Sequence, residues 1–570
     1  MSLLQSYRSL LRSSPLARTA SWLFILTAAF VFFSLISIKA KKKPFIESIS
    51  PLIGSPGDEM TIQGGGFGET RGTSYVEIAG SRITASGYVS WSDGQIRVVL
   101  PPNVQDGLVT VGTSAGVSDP AFFANETGIP VAVRELPGTS VPSISSISPE
   151  KGARTGQKIT IHGSHFGSAR GDSAVYFTAN RDKTASFLSE QDSDSQEKIS
   201  LYIPANADDF DYVSWSDSEI TVRVPDGADS GAVFVETERG SSSPQKISLE
   251  FPSGKKQYAH RRTYVVQVAA DISNHVSNQE STILLYIPKP AVSSFQPYVQ
   301  LTEVYPEPFI LDDEHDVIHK RQLNQITNNK ERFSQTFVVS ACSVQGNFRE
   351  KGMQAVYSAE NPLYMKYTSA DMCVPSDSQA VSRLLETIAG NERNPWKTAR
   401  LIYDFMVSSY DISEKVRSGD ISVLDIIRKK RGDAYDFAVL FTALCRAAEI
   451  PAVPVAGILV SDKNSVVPHW WTEIYFEGYG WFPVDVSLGA GLPFSPFIET
   501  GSPQEFYFGN LDNQHIAFSR GWKQIRQSSL NSKVVYRPRT YALQSIWEEA
   551  GDATSSYSSL WNNPVIQGIY

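Results

Sequence analysis

The sequence predicts a multidomain protein with an N-terminal membrane-spanning helix, two small β-sandwiches and a C-terminal α+β domain. Three features predict this order: an uncharged apolar run at residues 21–38, two internal repeats after it, and alternating helical and strand-like patterns after Asn394. With 570 residues, the chain is long enough for several domains. Its formal net charge of -9 gives no electrostatic reason to expect a nucleic-acid partner.

The N-terminal run, SWLFILTAAFVFFSLISI, is apolar on every face, which disfavours a buried core helix. As a helix it would span about 27 Å, close to the bilayer core thickness of about 30 Å. Basic residues flank both ends, so the charge count decides the orientation poorly. Because an early single span with a short basic head usually acts as a signal anchor, we expect residues 1–20 in the cytoplasm and residues 21–38 in the membrane. The remaining chain would then lie in the periplasm or at the cell surface. A cleaved signal peptide is the alternative, although no A-x-A site follows the run.

An internal repeat begins directly after this run. PFIESISP matches PSISSISP, MTIQGGGFG matches ITIHGSHFG, and YVSWSDGQIRVVLP matches YVSWSDSEITVRVP. Short alternating strands between Gly, Pro, Asn and Asp predict a small β-sandwich in each copy. The second copy holds about 25 extra residues near 183–209, and their polar, acidic composition predicts a surface loop.

The paired motifs resemble those of IPT/TIG domains, which have an immunoglobulin-like fold. The resemblance covers residues 44–125 and 142–251 and implies spacers or binding modules. His162 and His165 flank a glycine turn in the second copy. We expect both to be turn or surface residues rather than metal ligands, because no further His or Cys clusters nearby.

Residues 253–381 remain strand-like and predict a β-rich linker domain. The stretch RGDAYDFAVLFTALCRAAEIPA, residues 431–452, then carries an apolar stripe at helical spacing and predicts a core helix. HWWTEIYFEGYGWFPVD, residues 469–485, predicts two strands joined by a glycine-containing turn. That hairpin would bring His469 and Asp485 onto neighbouring strands.

These blocks resemble the transglutaminase-like domain of the papain-like thiol superfamily. The motifs are G-x-C-x-D-x-A, L-x-x-A-x-x-I-P-A, H-x-W-x-E and G-W-x-x-x-D. The first motif matches Gly432, Asp436 and Ala438, and the second matches Leu444, Ala447, Ile450, Pro451 and Ala452. The third matches His469, Trp471 and Glu473, and the fourth matches Gly480, Trp481 and Asp485. YFGNLDNQHIAFSRG, at residues 507–521, also resembles the tail of bacterial members. We place the α+β domain at residues 385–500, with a C-terminal extension at 501–570.

The resemblance implies a thiol triad with His469 as the base and Asp485 as the group that orients the imidazole. The position of the nucleophilic cysteine is occupied by Ala434, whose methyl group cannot attack an amide. Cys445 lies about 16 Å further along the helix and falls on the apolar stripe, where cysteines are usually inert. Tyr435 is a poor replacement at neutral pH.

Cys342 and Cys373 lie in a different segment from these motifs, so a rescue by either would need an unusual fold. The three cysteines form no disulfide framework, although Cys342 and Cys373 could pair outside the cytoplasm. The acidic runs Asp192–Glu197 and Asp312–Asp316 lack the glycine and terminal glutamate of an EF-hand loop, which favours solvated loops. We therefore expect no metal site and no cofactor.

We expect a pseudoenzyme: a membrane-anchored protein whose transglutaminase-like domain binds a peptide, a cell-wall fragment or an envelope protein without cleaving it. Trp470, Trp471 and Trp481 are either core residues or walls of that binding cleft. One alternative is an active amidase, protease or crosslinking enzyme with a relocated nucleophile. Another is an adhesin or carbohydrate-binding array built from the IPT/TIG domains.

Overall fold

The computed structural model divides into two compact units, Met1–Val131 and Ala132–Tyr570. The described residues are 11–36, 43–101, 104–105, 107–125, 141–181, 201–311, 315–323, 326–327, 330–353, 357, 361–418, 422–461 and 464–570. The acidic run Asp192–Glu197, most of Asp312–Asp316 and most of the insertion near 183–209 lie outside them.

The first unit contains an N-terminal helix, Pro15–Ile36, and the first β-sandwich. The helix covers most of the run at residues 21–38. Within the described ranges, no helix combines the length and the apolar character that a membrane crossing requires. The sheets of the sandwich contain the strands Phe45–Ser50, Glu59–Gly65, Gln95–Val99 and Tyr88–Trp91, and the strands Ile53–Gly54, Ala121–Asn125, Gly107–Thr113, Tyr75–Ile78, Ser81–Arg82 and Gly116–Val117.

The second β-sandwich repeats this topology, which confirms the predicted repeat. Its sheets contain Ser143–Ser148, Lys158–Ser164, Glu219–Arg223 and Tyr212–Trp215, and Lys151–Ala153, Gln245–Leu249, Ala228–Thr237, Ala174–Ala179, Tyr202–Pro204 and Gly240–Ser241. The two copies share their register: Ile49 pairs with Ile62, and Ile147 pairs with Ile161. A side chain on Gly163 would collide with the carbonyl oxygen of Ser143, so close approach of two strands explains this glycine.

The linker domain is β-rich between Gly254 and Phe348 and is completed by the C-terminal residues. The predicted boundary at residue 381 is wrong, because the helix Pro362–Thr368 and the start of Gln379–Ala389 lie before it. One sheet joins the strands Tyr298–Tyr305, Glu331–Phe348, Gly254–Ser277, Ile326–Thr327, Thr554–Trp561 and Val565–Ile569. The other sheet joins Asp316–Leu323, Ser281–Pro288, Glu548–Ala550 and Lys533–Val535. Part of the segment 501–570, predicted as an extension, therefore supplies strands to this domain.

The transglutaminase-like domain packs helices against a four-stranded sheet. The helices are Pro362–Thr368, Gln379–Ala389, Pro395–Ser409, Asp425–Lys429, Ala434–Ala447, Val486–Gly489 and Pro503–Phe506. The strands, in spatial order, are Gly480–Val484, Val466–Phe476, Ala452–Val460 and His515–Arg520. Below, Ala434–Ala447 is the central helix and Val466–Phe476 is the histidine strand. The last strand lies beyond residue 500, where the sequence placed the end of the domain.

The central helix is the core of this domain, because all its side chains from Ala434 to Arg446 are buried. It begins in a capping box. The Asp433 carboxylate accepts from the backbone N–H of Asp436, and the Asp436 carboxylate accepts from the backbone N–H of Asp433. Thr442 hydrogen-bonds across to Thr472 of the histidine strand at 3.0 Å. The helix is thereby fixed on one face of the sheet.

The second sandwich packs directly on the transglutaminase-like domain. The Arg520 guanidinium donates to Asp209 of the sandwich and to Glu473 of the histidine strand, both at 2.7 Å. Asp209 and Asp211 are buried, so the expectation of a surface loop is wrong for the C-terminal end of the insertion. The physical reason is that the Arg520 guanidinium pairs with the buried Asp209 carboxylate, which composition alone would place in solvent.

Candidate functional site

The predicted pair of His469 and Asp485 is present and completely buried. Nε2 of His469 lies 2.6 Å from Oδ2 of Asp485. The other carboxylate oxygen accepts from the Ser487 hydroxyl at 2.7 Å and from the backbone N–H of Leu488 at 2.9 Å. Asp485 thus caps the short helix that follows it and is held in one orientation.

The hydrogen bond to Asp485 fixes the role of one ring nitrogen of His469. Because a carboxylate only accepts, Nε2 must donate, and Nδ1 is the ring nitrogen that faces away from the carboxylate. Nδ1 is buried and has no hydrogen-bond partner among the described residues. A thiol-type site uses a ring nitrogen in this state as the base for its nucleophile.

A second histidine, which the sequence analysis missed, extends the pair. Nε2 of His515 lies 3.1 Å from Oδ2 of Asp485, and its Nδ1 lies 3.1 Å from Oδ1 of Asp512. Asp512 also accepts from the Tyr507 hydroxyl at 2.9 Å. The fourth strand of the sheet carries His515 to this position. The D-x-x-H spacing in DNQH was the available signal, but it lies beyond the hairpin that carries His469 and Asp485.

Charges in this network stabilise one another. Burial opposes a charge on His515, but Asp512 and Asp485 outweigh it and raise the pKa of His515 to about 9. Burial alone would raise the pKa of Asp485, yet the imidazoles of His469 and His515 hold that pKa well below its usual range. At neutral pH His515 is therefore an imidazolium between two carboxylates.

Ala434 occupies the first position of the central helix, where the resemblance places the nucleophile, and it is 5% exposed. The next residue, Tyr435, packs edge to face on Trp470, with ring centroids 5.6 Å apart. Since Trp470 follows His469 in the histidine strand, the start of the helix lies beside the start of that strand. The fold of a thiol site is retained, but the thiol is absent.

Two arginines cover the start of the central helix. Arg539 from the C-terminal segment bonds both carboxylate oxygens of Asp433 at 2.8 Å and Oδ1 of Asp436 at 2.9 Å. Arg417 donates through Nε to Asp436 at 3.0 Å. The Arg539 guanidinium also lies 4.4 Å from the ring centroid of Tyr435. Both carboxylates beside Ala434 are therefore paired.

The remaining cysteines are buried and form no disulfide. Burial raises the pKa of Cys445, and burial together with Asp371 raises that of Cys373. The Cys373 thiol donates to Asp371 at 3.3 Å. Cys373 nevertheless belongs to the same buried cluster as Ala434, which its distant place in the sequence does not indicate. Both thiols are held protonated and are poor nucleophiles.

The three tryptophans predicted as core or cleft wall separate into two groups. Trp470 and Trp471 are buried on opposite sides of the sheet. Trp470 packs with the central helix, whereas Trp471 packs with Phe295 of the linker domain. Trp481 lines a cavity between the domains. Of the three, only Trp481 lines that cavity.

The ligand atoms of His469, Asp485 and His515 lie within 4.8 Å of one another, the spacing of a metal site. Hydrogen bonds already account for this spacing, and a metal would have to displace two ring protons. Nδ1 of His469 also lacks the acceptor that usually orients a metal-bound imidazole. The arrangement fits a hydrogen-bonded relay better than a metal centre.

Family comparisons agree with this architecture. The transglutaminase-like superfamily model matches residues 382–486, and the IPT/TIG domain model matches residues 44–124 and 142–251. The chain thus carries a transglutaminase-like core domain preceded by two IPT/TIG domains, in the order that the sequence predicts.

Curated relatives share shorter stretches. A cyclomaltodextrin glucanotransferase of Paenibacillus macerans is 43% identical over 97 residues, which are 16% of this chain and 13% of the relative. An uncharacterized protein of Haemophilus influenzae is 25% identical over 192 residues, which are 29% of this chain and 51% of the relative. The alignments cover less than two thirds of either relative.

Solved structures show only a distant likeness. A candidate cysteine protease of Cytophaga hutchinsonii has a TM-score of 0.34 and 16% identity, with 55% of this chain and 91% of that chain covered. The periplasmic domain of TgpA from Pseudomonas aeruginosa has a TM-score of 0.23 and 13% identity, with 40% and 88% covered. Scores this low carry no argument about activity or location.

Proposed function

We propose that this chain is a non-catalytic member of the transglutaminase-like group, which binds a peptide or an envelope protein without cleaving it. The observation that carries the proposal is Ala434 at the first position of the central helix, in a domain that keeps the hydrogen-bonded pair of His469 and Asp485. A methyl group cannot form the thioester that this chemistry requires.

The surroundings of the pair also support a non-catalytic role. His469 and Asp485 are fully buried, and Arg417 and Arg539 hold the start of the central helix closed. Cys373 and Cys445 are buried thiols with raised pKa values. Cys373 and Cys445 therefore do not support an alternative thiolate.

The test compares the full chain with its His469→Ala variant. Ammonia release from glutamine peptides, amine incorporation and peptide cleavage are measured on both proteins. We expect no activity above the buffer in either one. Activity in the parent that disappears in His469→Ala would overturn the proposal, because only a working base would make activity depend on that imidazole.

The complete histidine–carboxylate pair is the one observation that favours the alternative, an active amidase, protease or crosslinking enzyme. That enzyme would need a nucleophile from outside the central helix. Substituting each thiol separately, as Cys342→Ser, Cys373→Ser and Cys445→Ser, identifies it if the parent proves active. Loss of turnover in one variant alone would name the nucleophile.

We also propose that the run at residues 21–38 anchors the protein in a membrane and that the remaining chain lies outside the cytoplasm. The support is the length of this uncharged apolar run in the sequence. Carbonate extraction of membranes, followed by protease treatment of intact and permeabilised cells, tests both parts. Release of the protein by carbonate would contradict the membrane anchor. Protection of the protein from protease in cells whose outer layer is permeabilised would contradict the orientation.

A further inference from the structure

A cavity of about 640 Å³ lies where the second sandwich, the linker domain and the transglutaminase-like sheet meet. This volume is within the range of ligand sites, roughly 300–1,000 Å³. We call it the junction cavity. Its lining includes charged side chains, among them Asp209, Asp226 and Arg520, which we call the charged wall, and apolar side chains, among them Leu301 and Phe337.

The junction cavity is separate from the His469–Asp485 pair. Glu473 lines the cavity, and alternation along the histidine strand places it on the same side of the sheet as His469. Four residues of strand place their backbones about 13 Å apart. The fully buried Trp471 lies between them, so a ligand in the cavity does not reach the pair.

The side chains of the charged wall already form ion pairs with one another or with neighbouring side chains. Arg520 pairs with Asp209 and Glu473, and Lys256 pairs with Asp226. At the mouth, Lys523 lies 3.4 Å from Asp208. Each of these side chains already has an oppositely charged partner, so burying a further charge beside them would cost free energy. Nη2 of Arg520 is buried without a hydrogen-bond partner among the described residues, which leaves a donor for an uncharged acceptor. The cavity therefore favours an uncharged group with an apolar body.

A β-strand borders the apolar side. Tyr298–Tyr305, called the edge strand, lies at the end of its sheet and pairs with Glu331–Phe348. Val299 and Leu301 of the edge strand both line the cavity, whereas Gln300 between them does not. An edge strand offers backbone N–H and C=O groups to an added strand, whose alternate side chains enter pockets below it.

We propose that the junction cavity and the edge strand together bind an extended peptide segment of a partner protein. The peptide would pair with the edge strand and insert an uncharged aliphatic side chain between Leu301 and the rim residue Val292. The inference rests on the proposed binding function and gives it a site away from the histidine pair. Val292 is 64% exposed and Leu311, also on the rim, is 52% exposed, so the mouth is apolar and open.

A sugar ligand fits this cavity less well. The phenyl, phenol and indole rings in its walls are almost completely buried and offer no open face for stacking on a sugar ring: Tyr258, Phe295, Phe337, Trp481 and Phe518. A sugar is therefore an outcome of the test rather than part of the proposal.

The probe is a display library of random seven-residue peptides, selected against the full chain in detergent. We expect it to yield peptides with an uncharged aliphatic residue and no proline beside it. A synthetic copy of the best peptide should bind at least about tenfold more weakly to a Val292→Asp, Leu311→Asp double variant, since each substitution puts an unpaired charge at the mouth. Leu530→Asp is the matched control, because Leu530 is 67% exposed and does not line the cavity.

Hydrogen exchange gives the second readout. Bound peptide should slow hydrogen exchange of the backbone amides in the edge strand. The slowing should be the same in Leu530→Asp as in the parent. Equal affinity for the parent and the double variant would overturn this site while leaving the proposed function. Displacement of the peptide by a neutral glucan oligosaccharide, with no slowing in the edge strand, would also overturn it. Amide cleavage by the parent would overturn the proposed function but not this peptide site.

Discussion

His469 and Asp485 form a hydrogen bond of 2.6 Å between two fully buried side chains, in a domain whose central helix begins with Ala434. Burying polar groups is costly unless they are hydrogen-bonded. Ser487, Leu488 and His515 satisfy the carboxylate here, whereas Nδ1 of His469 has no partner among the described residues. The carboxylate is thus held by the core, and Nδ1 is the ring atom left for a further group.

Restoring the thiol tests whether the site keeps its shape. In Ala434→Cys, we expect a thiol pKa below about 7.5, because the helix N-terminus and the free ring nitrogen of His469 both favour the thiolate. Thiolate absorbance at 240 nm across a pH titration measures it without requiring access for a reagent.

The control for this titration is the double variant Ala434→Cys, His469→Ala, in which the thiol pKa should rise by more than about one unit. Cys373 and Cys445 do not interfere, since their pKa values are raised. A thiol pKa at or above about 8.5 in the single variant would show that the surroundings of residue 434 no longer stabilise a thiolate.

His515 should make stability depend on alkaline pH. Its folded-state pKa of about 9 is above the usual 6.5, so the folded state binds this proton more tightly. The stabilisation, roughly 3 kcal/mol, is fully present below pH 6.5 and is lost as the pH rises to about 9. Urea unfolding between pH 6 and pH 10 measures the decline.

In His515→Gln this decline should disappear, and the protein should be less stable at pH 6. His162, a half-buried residue of the second sandwich, is outside this network, and His162→Gln is the matched control for the loss of an imidazole. A profile for His515→Gln that still falls between pH 6.5 and pH 9 would assign the titration to another group.

Arg520 should be a stability determinant, because it joins the second sandwich to the transglutaminase-like sheet. Arg520→Met leaves the carboxylates of Asp209 and Glu473 buried without their cation, which should cost about 3–5 kcal/mol. Chemical denaturation followed by tryptophan fluorescence measures the loss. Arg321→Met is the control: its pair with Glu331 is largely exposed, so a loss below about 1 kcal/mol is expected. Similar losses in both variants would argue against the buried network.

The native thiols should be unreactive. Cys342, Cys373 and Cys445 are buried and form no disulfide, so Ellman's reagent should label none of them in the folded protein at pH 8 and all three after unfolding. Rapid labelling of one thiol in the folded protein would reveal an accessible thiolate, and that residue would become the first candidate for a relocated nucleophile.

The sequence was a good guide wherever short-range patterns decide structure. The repeated strand motifs predict both sandwiches, and the apolar stripe after Arg431 predicts the central helix, because strand alternation and helical spacing are local properties. The hairpin motif also predicts the approach of His469 to Asp485, since a short turn fixes which strands are neighbours. The motif alone is enough to show that residue 434 is an alanine where the resemblance places a cysteine.

Only the tertiary structure showed the partners that come from distant segments. His515 and Arg520 lie within the block at residues 507–521, and Arg539 lies beyond it; each reaches a carboxylate that is 30 to 311 residues away in sequence, which no motif indicates. Such pairings depend on strand order and domain packing, which local patterns do not encode. The sequence by itself determined which domains are present and which nucleophile is missing. The tertiary structure decided that the pair of His469 and Asp485 is buried and that the junction cavity is separate from it. Burial and cavities both result from the long-range packing of the second sandwich, the linker domain and the transglutaminase-like domain.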